Sequence, residues 1–237
     1  MMTERNGIQG EFGHVDTWIF DLDNTLYPAG CRLFDQIDVR MGDYISTLLS
    51  VVRVEARRIQ KQFFFEYGTT MRGLMTEHQV KPEDFLSYVH DIDHSPVPEN
   101  ARLGAALDRL PGRKLVFTNG TVKHAQDVMD KIGISAHFET IFDIKAADYI
   151  PKPEMVSYRV FIDRDQVDPA SAAMFEDITR NLAAPHELGM TTVLVHDPDN
   201  EDGALINKLN GDSHDEPHVH HVTDDLAGFL ENVLDEI

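Results

Sequence analysis

The 237-residue chain is predicted to adopt an α/β fold: a doubly wound parallel sheet with an all-helical insertion after its first strand. Three observations carry this. From Arg102 onward, short apolar runs rich in β-branched residues alternate with amphipathic helical segments, the pattern of a parallel sheet wrapped by helices through right-handed crossovers. Between Pro28 and Asn100 the periodicity is helical and no convincing strand appears. Acidic and polar residues follow directly on several apolar runs, and in doubly wound sheets ligands bind beyond the carboxyl ends of the strands.

The elements follow in order. TWIF (Thr17–Phe20) reads as a short buried strand of aromatic and β-branched residues. After Pro28, Leu33, Ile37, Met41, Ile45, Leu48, Leu49 and Val52 recur at spacings of three and four, the stripe of an amphipathic helix. A second helix is expected from Val54 to Tyr67, broken at Gly68 and followed by a polar turn, YGTTMRG. Pro82 suits the first turn of a third helix, PEDFLSYVHDI. SPVPEN then punctuates the chain. A helix through Leu103–Leu110 stops at Pro111-Gly112. KLVFTNG, TIFDI, AAMFED and TTVLVHD read as strands; HAQDVMDKIGI, EMVSYRVFI and NLAAPHELGM read as the helices between them. DPDNEDGALINKLNGDSHDEPH is expected as a surface loop with a little helix, and DDLAGFLENVLDEI closes the chain as an amphipathic helix. This divides the protein into a core, 1–27 with 101–237, and a helical cap, 28–100.

The formal charge of −20 argues against general binding to a nucleic-acid polymer. It also means that a pocket for an anion needs a local metal ion and a lysine to reverse the field. One cysteine, Cys31, excludes an internal disulfide framework. With no apolar signal core at the N-terminus and no run of membrane-spanning length, a soluble cytoplasmic protein without a membrane partner is expected. The oligomeric state is left open.

The sheet's carboxyl edge collects Asp21 and Asp23 after the first strand, Thr118, Asn119 and Gly120 after the second, Lys152 between two prolines, and Glu176-Asp177 after AAMFED. Crowded carboxylates need a cation, and an all-oxygen ligand set selects Mg²⁺. Asp21 and Asp177 are the direct candidates, with the backbone carbonyl of Asp23; Glu176 is a lesser one. Asp21 then has an oxygen free to attack phosphorus as a nucleophile, and Asp23 is placed to protonate the leaving alkoxide and deprotonate water. Thr118, Asn119, Gly120 and Lys152 would hold phosphate oxygens. Taken singly, each feature has a plainer reading. An Asp-x-Asp is a common cap or solvated turn, Thr-Asn-Gly an ordinary turn, Lys152 an exposed side chain and Glu176-Asp177 a helix cap. Their order after successive strands favours the site.

DLDNTLYP, TNG, PKP and FEDITRNL resemble the four motifs of the haloacid dehalogenase superfamily, in the right order. That resemblance implies a Rossmann-like core, a mobile cap, and Asp21, Asp23, Thr118, Lys152 and Asp177 in the roles above. Asp23 favours phosphate chemistry, because true dehalogenases lack the second aspartate. DLDNTLYP, YGTTMRGLM, FLSYVHDID and FEDITRNL are similar to the pyrimidine 5′-nucleotidase branch, which implies nucleoside monophosphates such as UMP and CMP. The fourth motif departs from many relatives in reading Glu-Asp rather than Asp-Asp or Gly-Asp. Asn181, where others often carry an acid, is expected to orient Lys152 or a water.

For the leaving-group pocket the sequence offers Tyr67, Thr69, Thr70 and Arg72 in YGTTMRG, with His90 or Asp91 as further candidates. A helix break with a capping threonine explains that stretch equally well. His124 and His186 are expected to pack or cap behind the crevice. HVHH (218–221) puts His218 and His220 on one face, a metal pair or, more simply, an edge strand. Two other functions compete: a phosphosugar or phosphoglycolate-type phosphatase or mutase, and a silent binding module.

Overall fold

Strand β1 (Thr17–Phe20) is buried along its whole length. In the computed structural model, which describes residues 11–197, 213 and 215–237, it is flanked on both sides by parallel partners. Phe20 pairs with Val116 of β2 (Arg113–Phe117) and with Phe175 of β4 (Ala172–Glu176). Strands β3 (Thr140–Phe142), β5 (Thr191–Val195) and β6 (His221–Thr223) complete a six-stranded parallel sheet of order β3-β2-β1-β4-β5-β6. The order reverses direction at β1, so the crevice between the loops after β1, β2 and β4 is the switch point of a Rossmann-like α/β fold.

Strand pleating sends successive side chains to opposite faces, and the apolar clusters divide accordingly. Trp18, Phe20, Val116, Phe175 and Val193 belong to one cluster, whereas Ile19, Leu115, Phe117, Met174 and Leu194 belong to the other. Helices α5 (Ala101–Arg109), α6 (Val122–Ile132) and α9 (Leu226–Leu234) supply the first layer; α7 (Met155–Asp165) and α8 (Ala183–Leu188) supply the second. Ala125, Val128, Met129 and Ile132 of α6 form the predicted buried stripe. Asn100 caps α5 by accepting from Leu103 N at 3.0 Å, and Thr121 caps α6 by accepting from His124 N at 3.2 Å.

Between β1 and α5 the regular elements are all helical: α1 (Leu33–Leu49), α2 (Arg53–Tyr67), α3 (Thr70–His78) and α4 (Pro82–Val89), besides a 3₁₀ turn at Ala29–Cys31. They enclose a third cluster that includes Ile37, Ile45, Phe63, Leu74 and Phe85. α2 and α3 approach so closely at Gly73 that a Cβ there would lie 2.4 Å from the Phe63 side chain, so only glycine fits.

Three expectations need correction. α1 ends at Leu49 because Ser50 turns left-handed (φ 54°), which takes Val52 off the buried stripe and leaves it 73% exposed. The stretch YGTTMRG is not a turn throughout: Gly68 breaks α2 at φ 82°, but Thr69 accepts from Arg72 N and starts α3 at once. NLAAPHELGM is composite, a 3₁₀ turn at Thr179–Leu182 followed by α8. Most of the expected loop at 197–218 lies outside the described residues. No described helix is long and apolar enough to cross a membrane.

Leu115 has no exposed surface, whereas Val54 is 84% exposed. Leu115→Ala should therefore cost about 2–5 kcal/mol, read from urea unfolding, and Val54→Ala no more than about 0.5 kcal/mol. Similar costs at both positions would contradict the two-faced core.

Candidate active site

β1 delivers Asp21 to the switch point. Its amide donates to Phe175 O at 2.9 Å, so the ladder continues one residue past the strand and fixes the side chain's direction. The chain then turns: Thr25 N and Leu26 N donate to Leu22 O, and Asn24 takes a left-handed φ of 59°. This brings Thr25 Oγ1 within 3.2 Å of Asp21 Oδ2.

Lys152 reaches the same carboxylate from the loop before α7. Its Nζ donates to Asp21 Oδ1 at 2.6 Å, Glu176 Oε1 at 2.7 Å and Phe117 O at 2.9 Å. An ammonium has three donors, and all are used. Burial works against the charge of Lys152, but Asp21 and Glu176 outweigh it and hold the ammonium above its usual range. Glu176 is committed in turn: Asn181 Nδ2 donates to Oε1 at 2.7 Å and Ile178 N to Oε2 at 2.9 Å. Asn181 thus acts on Lys152 through Glu176. Asn119, which also lines the cavity, locks the lysine loop by accepting from Lys152 N at 2.9 Å and donating to Lys152 O. Thr118 Oγ1 accepts from Gly120 N at 2.9 Å and lines the crevice.

Asp21, Glu176 and Asp177 are buried, with ligand atoms within 4.8 Å of one another. Burial, partly offset by Lys152 and reinforced by Glu176 and Asp23, pushes Asp21 up to about 7. Burial, then Glu176 and Asp21, raises Asp177 well above the carboxylate range. Lys152 alone does not balance these acids. An all-oxygen set in that condition fits a hard divalent cation.

Asp23 sits in a different environment. Tyr27 OH donates to its Oδ1 at 2.6 Å, and His124 Nε2 approaches the same oxygen at 3.0 Å. Burial would raise this carboxyl, but the His124 imidazole and the two hydrogen bonds leave it below its ordinary range. The sequence reading set His124 behind the crevice; instead it touches Asp23. The available signal was its position three residues after the Thr121 cap, in the first turn of a helix whose N-terminus faces the sheet's carboxyl edge.

Above these groups lies a cavity of about 170 Å³, walled on the helical side by Phe34, Ile37, Met41, Phe64, Phe85 and Leu86. Thr69, Thr70 and His90 also line it, but Tyr67, Arg72 and Asp91 do not. The Tyr67 hydroxyl goes to Glu77 instead. Asp38, Gln60 and Lys61 are further polar residues on this wall. Asp38 accepts from Gln60 Nε2 at 2.7 Å and pairs with Arg57. Asp38 and Gln60 were legible as polar residues on the buried faces of α1 and α2. Arg180 spans from the core to this wall, its guanidinium 4.6 Å from the Phe64 ring centre. At the far edge of the sheet, His220 Nδ1 accepts from Thr192 N at 3.1 Å, which ties it to β5.

Residues 15–189, well over half of the chain, match the family of haloacid dehalogenase-like hydrolases. The chain belongs to that family. A 136-residue stretch is 28% identical to phosphate metabolism protein 8 of Saccharomyces cerevisiae, covering 52% of this chain and 42% of the yeast protein. The match therefore spans less than half of that relative. Among solved structures, this hydrolase superposes on the HAD hydrolase YfnB of Bacillus subtilis, bound to magnesium, with a TM-score of 0.59 at 13% identity, over 93% of this chain and 99% of the other. The L-2-haloacid dehalogenase of Xanthobacter autotrophicus gives 0.57 at 13% identity, over 92% and 98%. At such identities the likeness is one of fold.

If the acid cluster holds a divalent ion, saturating Mg²⁺ should stabilise the chelator-treated protein. At about 100 times Kd the gain is about 2.7 kcal/mol, or roughly 5–10 °C in Tm. Asp177→Asn should lose most of that shift, and an absent shift in the parent protein would remove the metal assignment.

Proposed function

We propose that this hydrolase is a Mg²⁺-dependent phosphomonoesterase that works through a phosphorylated Asp21, and that its substrates are pyrimidine nucleoside monophosphates. The observation that carries the phosphatase reading is Asp23: a second carboxylate two residues from Asp21, held by His124 and Tyr27 at the mouth of the same crevice. Dehalogenation expels halide and has no leaving alcohol to protonate. Phosphate-ester hydrolysis has one.

The chemistry follows from the residues. Asp21 and Asp177, with the Asp23 carbonyl, would hold the metal, which supplies positive charge for the phosphoryl oxygens. A carboxylate oxygen of Asp21 attacks phosphorus in line, forming the Asp21 O–P bond as the ester P–O bond breaks. Asp23, whose carboxyl lies below its ordinary range in the free protein, takes up a proton from solvent as the negatively charged ester binds beside it and gives that proton to the departing alkoxide. Asp23 then takes a proton from water as the water oxygen bonds to phosphorus, which releases phosphate and restores Asp21. Lys152 fixes the direction of Asp21, while the Thr118 hydroxyl, held by the Gly120 amide, would donate to a phosphoryl oxygen.

The nucleotide reading rests on the resemblance to the pyrimidine nucleotidase branch and on the cavity wall. Phe34, Phe64 and Phe85 offer flat apolar surface, and Asp38, Gln60 and Lys61 offer polar groups within it. That combination suits a base with a hydrogen-bonding edge better than a sugar, whose hydroxyls would meet mostly carbon. The yeast relative's name, phosphate metabolism protein 8, fits a phosphate substrate.

With Mg²⁺ present, UMP or CMP should exceed glucose 6-phosphate in kcat/KM by at least about tenfold. The reverse order would remove the nucleotide assignment and leave the phosphatase one. Asp21→Asn should lower turnover of any phosphate ester by at least about 10⁴-fold; near-parent activity would exclude the covalent route.

A further inference from the structure

Both side-chain hydrogen bonds to Asp23 fall on one oxygen. Tyr27 OH reaches Oδ1 at 2.6 Å and His124 Nε2 reaches it at 3.0 Å. The other oxygen, Oδ2, faces the loop Thr118–Gly120: a Cβ built on Gly120 would lie 3.8 Å from it and 3.3 Å from His124 Cδ2. The glycine therefore keeps open the space that Asp23 Oδ2 and the imidazole border. His124 Nδ1 is buried with no hydrogen-bond partner, so the ring N–H is assigned to Nε2, which donates to Oδ1.

The imidazole is itself fixed. The His124 side chain has no exposed surface, so it cannot meet a substrate. The His90 ring, at the end of α4, lies parallel to it within 4°, with centroids 4.5 Å apart. His90 Nδ1 is 3.3 Å from Thr121 Oγ1, the same hydroxyl that caps α6 below His124. Burial and the neighbouring His124 keep His90 far below its ordinary range, at about 3, so the stack is made with a neutral His90.

We propose that His124, stacked against His90, is the positioning residue for Asp23: with Tyr27 it engages Oδ1 and thereby assigns Oδ2 to the proton transfers at the leaving group and the water. This rests on the phosphomonoesterase reading and adds an atom-level division of labour within Asp23. A donor on the non-reacting oxygen fixes the carboxylate's rotation about χ2, which is broad when nothing holds it. A misrotated Asp23 fails where proton donation matters and costs little where the leaving group departs as a stable anion.

The test uses single-turnover kinetics with excess enzyme and Mg²⁺ on two esters of similar size. p-Nitrophenyl phosphate releases a stable phenolate, whereas benzyl phosphate releases an alcohol that needs the proton. In His124→Phe, which keeps a ring in the stack but removes the donor, release of benzyl alcohol should fall at least about tenfold more than release of p-nitrophenolate. His124→Gln, which returns an amide donor near Nε2, should restore most of the difference. Equal losses on both esters would mean that His124 only supports the fold, and no loss on either would mean that it does not act; each overturns the proposal. If the Phe variant does not fold, Tyr27→Phe removes the other donor and should show the same skew at smaller amplitude; its absence also overturns the proposal. A parent protein that hydrolyses neither ester refutes the phosphomonoesterase reading itself, and this inference falls with it.

Discussion

The Lys152 ammonium lies 2.6 Å from Asp21 and 2.7 Å from Glu176, with Phe117 O as its third acceptor. The carboxyl edge of the sheet is organised around that contact. It joins three segments remote in sequence: the end of β1, the loop before α7 and the end of β4. Breaking one member leaves a buried charge without compensation, which is strongly destabilising. This explains why so many groups serve to hold it. Asn119 locks the lysine's backbone, Asn181 and the Ile178 amide hold Glu176, and Thr25 holds the second oxygen of Asp21.

The sheet order makes the contact possible. β1 is central, with β2 and β4 as its neighbours, so Asp21, Phe117 O and Glu176 arise from adjacent strand ends. Pairs such as Phe20 with Phe175, stacked at 4.7 Å, fix the strands beneath it. A slip of one residue would send these side chains to the opposite face and carry Asp21 with them. The register of the apolar core and the position of the acidic group are therefore one constraint.

Much of this was readable from the chain, and for definite reasons. The alternation of strands and helices, the burial of TWIF and the placement of Asp21, Lys152 and Asp177 each depend on local pattern or on the rule that sites lie beyond strand ends. What escaped notice depends on tertiary approach. His124 reads as one more residue of an amphipathic helix, and only the fold reveals that the first turn of α6 meets the turn after β1. Tyr67 and Arg72 looked suitable by chemistry, but α3 begins so soon after Gly68 that neither lines the cavity. Asp38 and Gln60 interrupt apolar faces, a signal that periodicity detects only when polar exceptions are sought. The role of Asn119 was hidden because a Thr-Asn-Gly turn does not say which backbone its amide will grip.

The electrostatics impose one further condition. A protein of formal charge −20 would admit a phosphate dianion only where the local field is reversed, a reversal expected of a metal ion together with Lys152. In the structure its charge is already shared by Asp21 and Glu176, while Asp177 and Asp23 lie close by. Lysine and its two carboxylates together are net negative, so the lysine organises the acids without making the crevice attractive to an anion. The unbalanced carboxylates raise the affinity for a divalent cation and, without one, repel phosphate. A metal and a phosphate ester bound there would be coupled by charge, each binding more tightly when the other is present, by the same factor. On the proposed phosphomonoesterase reading, admission of the ester would depend on the ion, and discrimination among esters would fall to the helical wall.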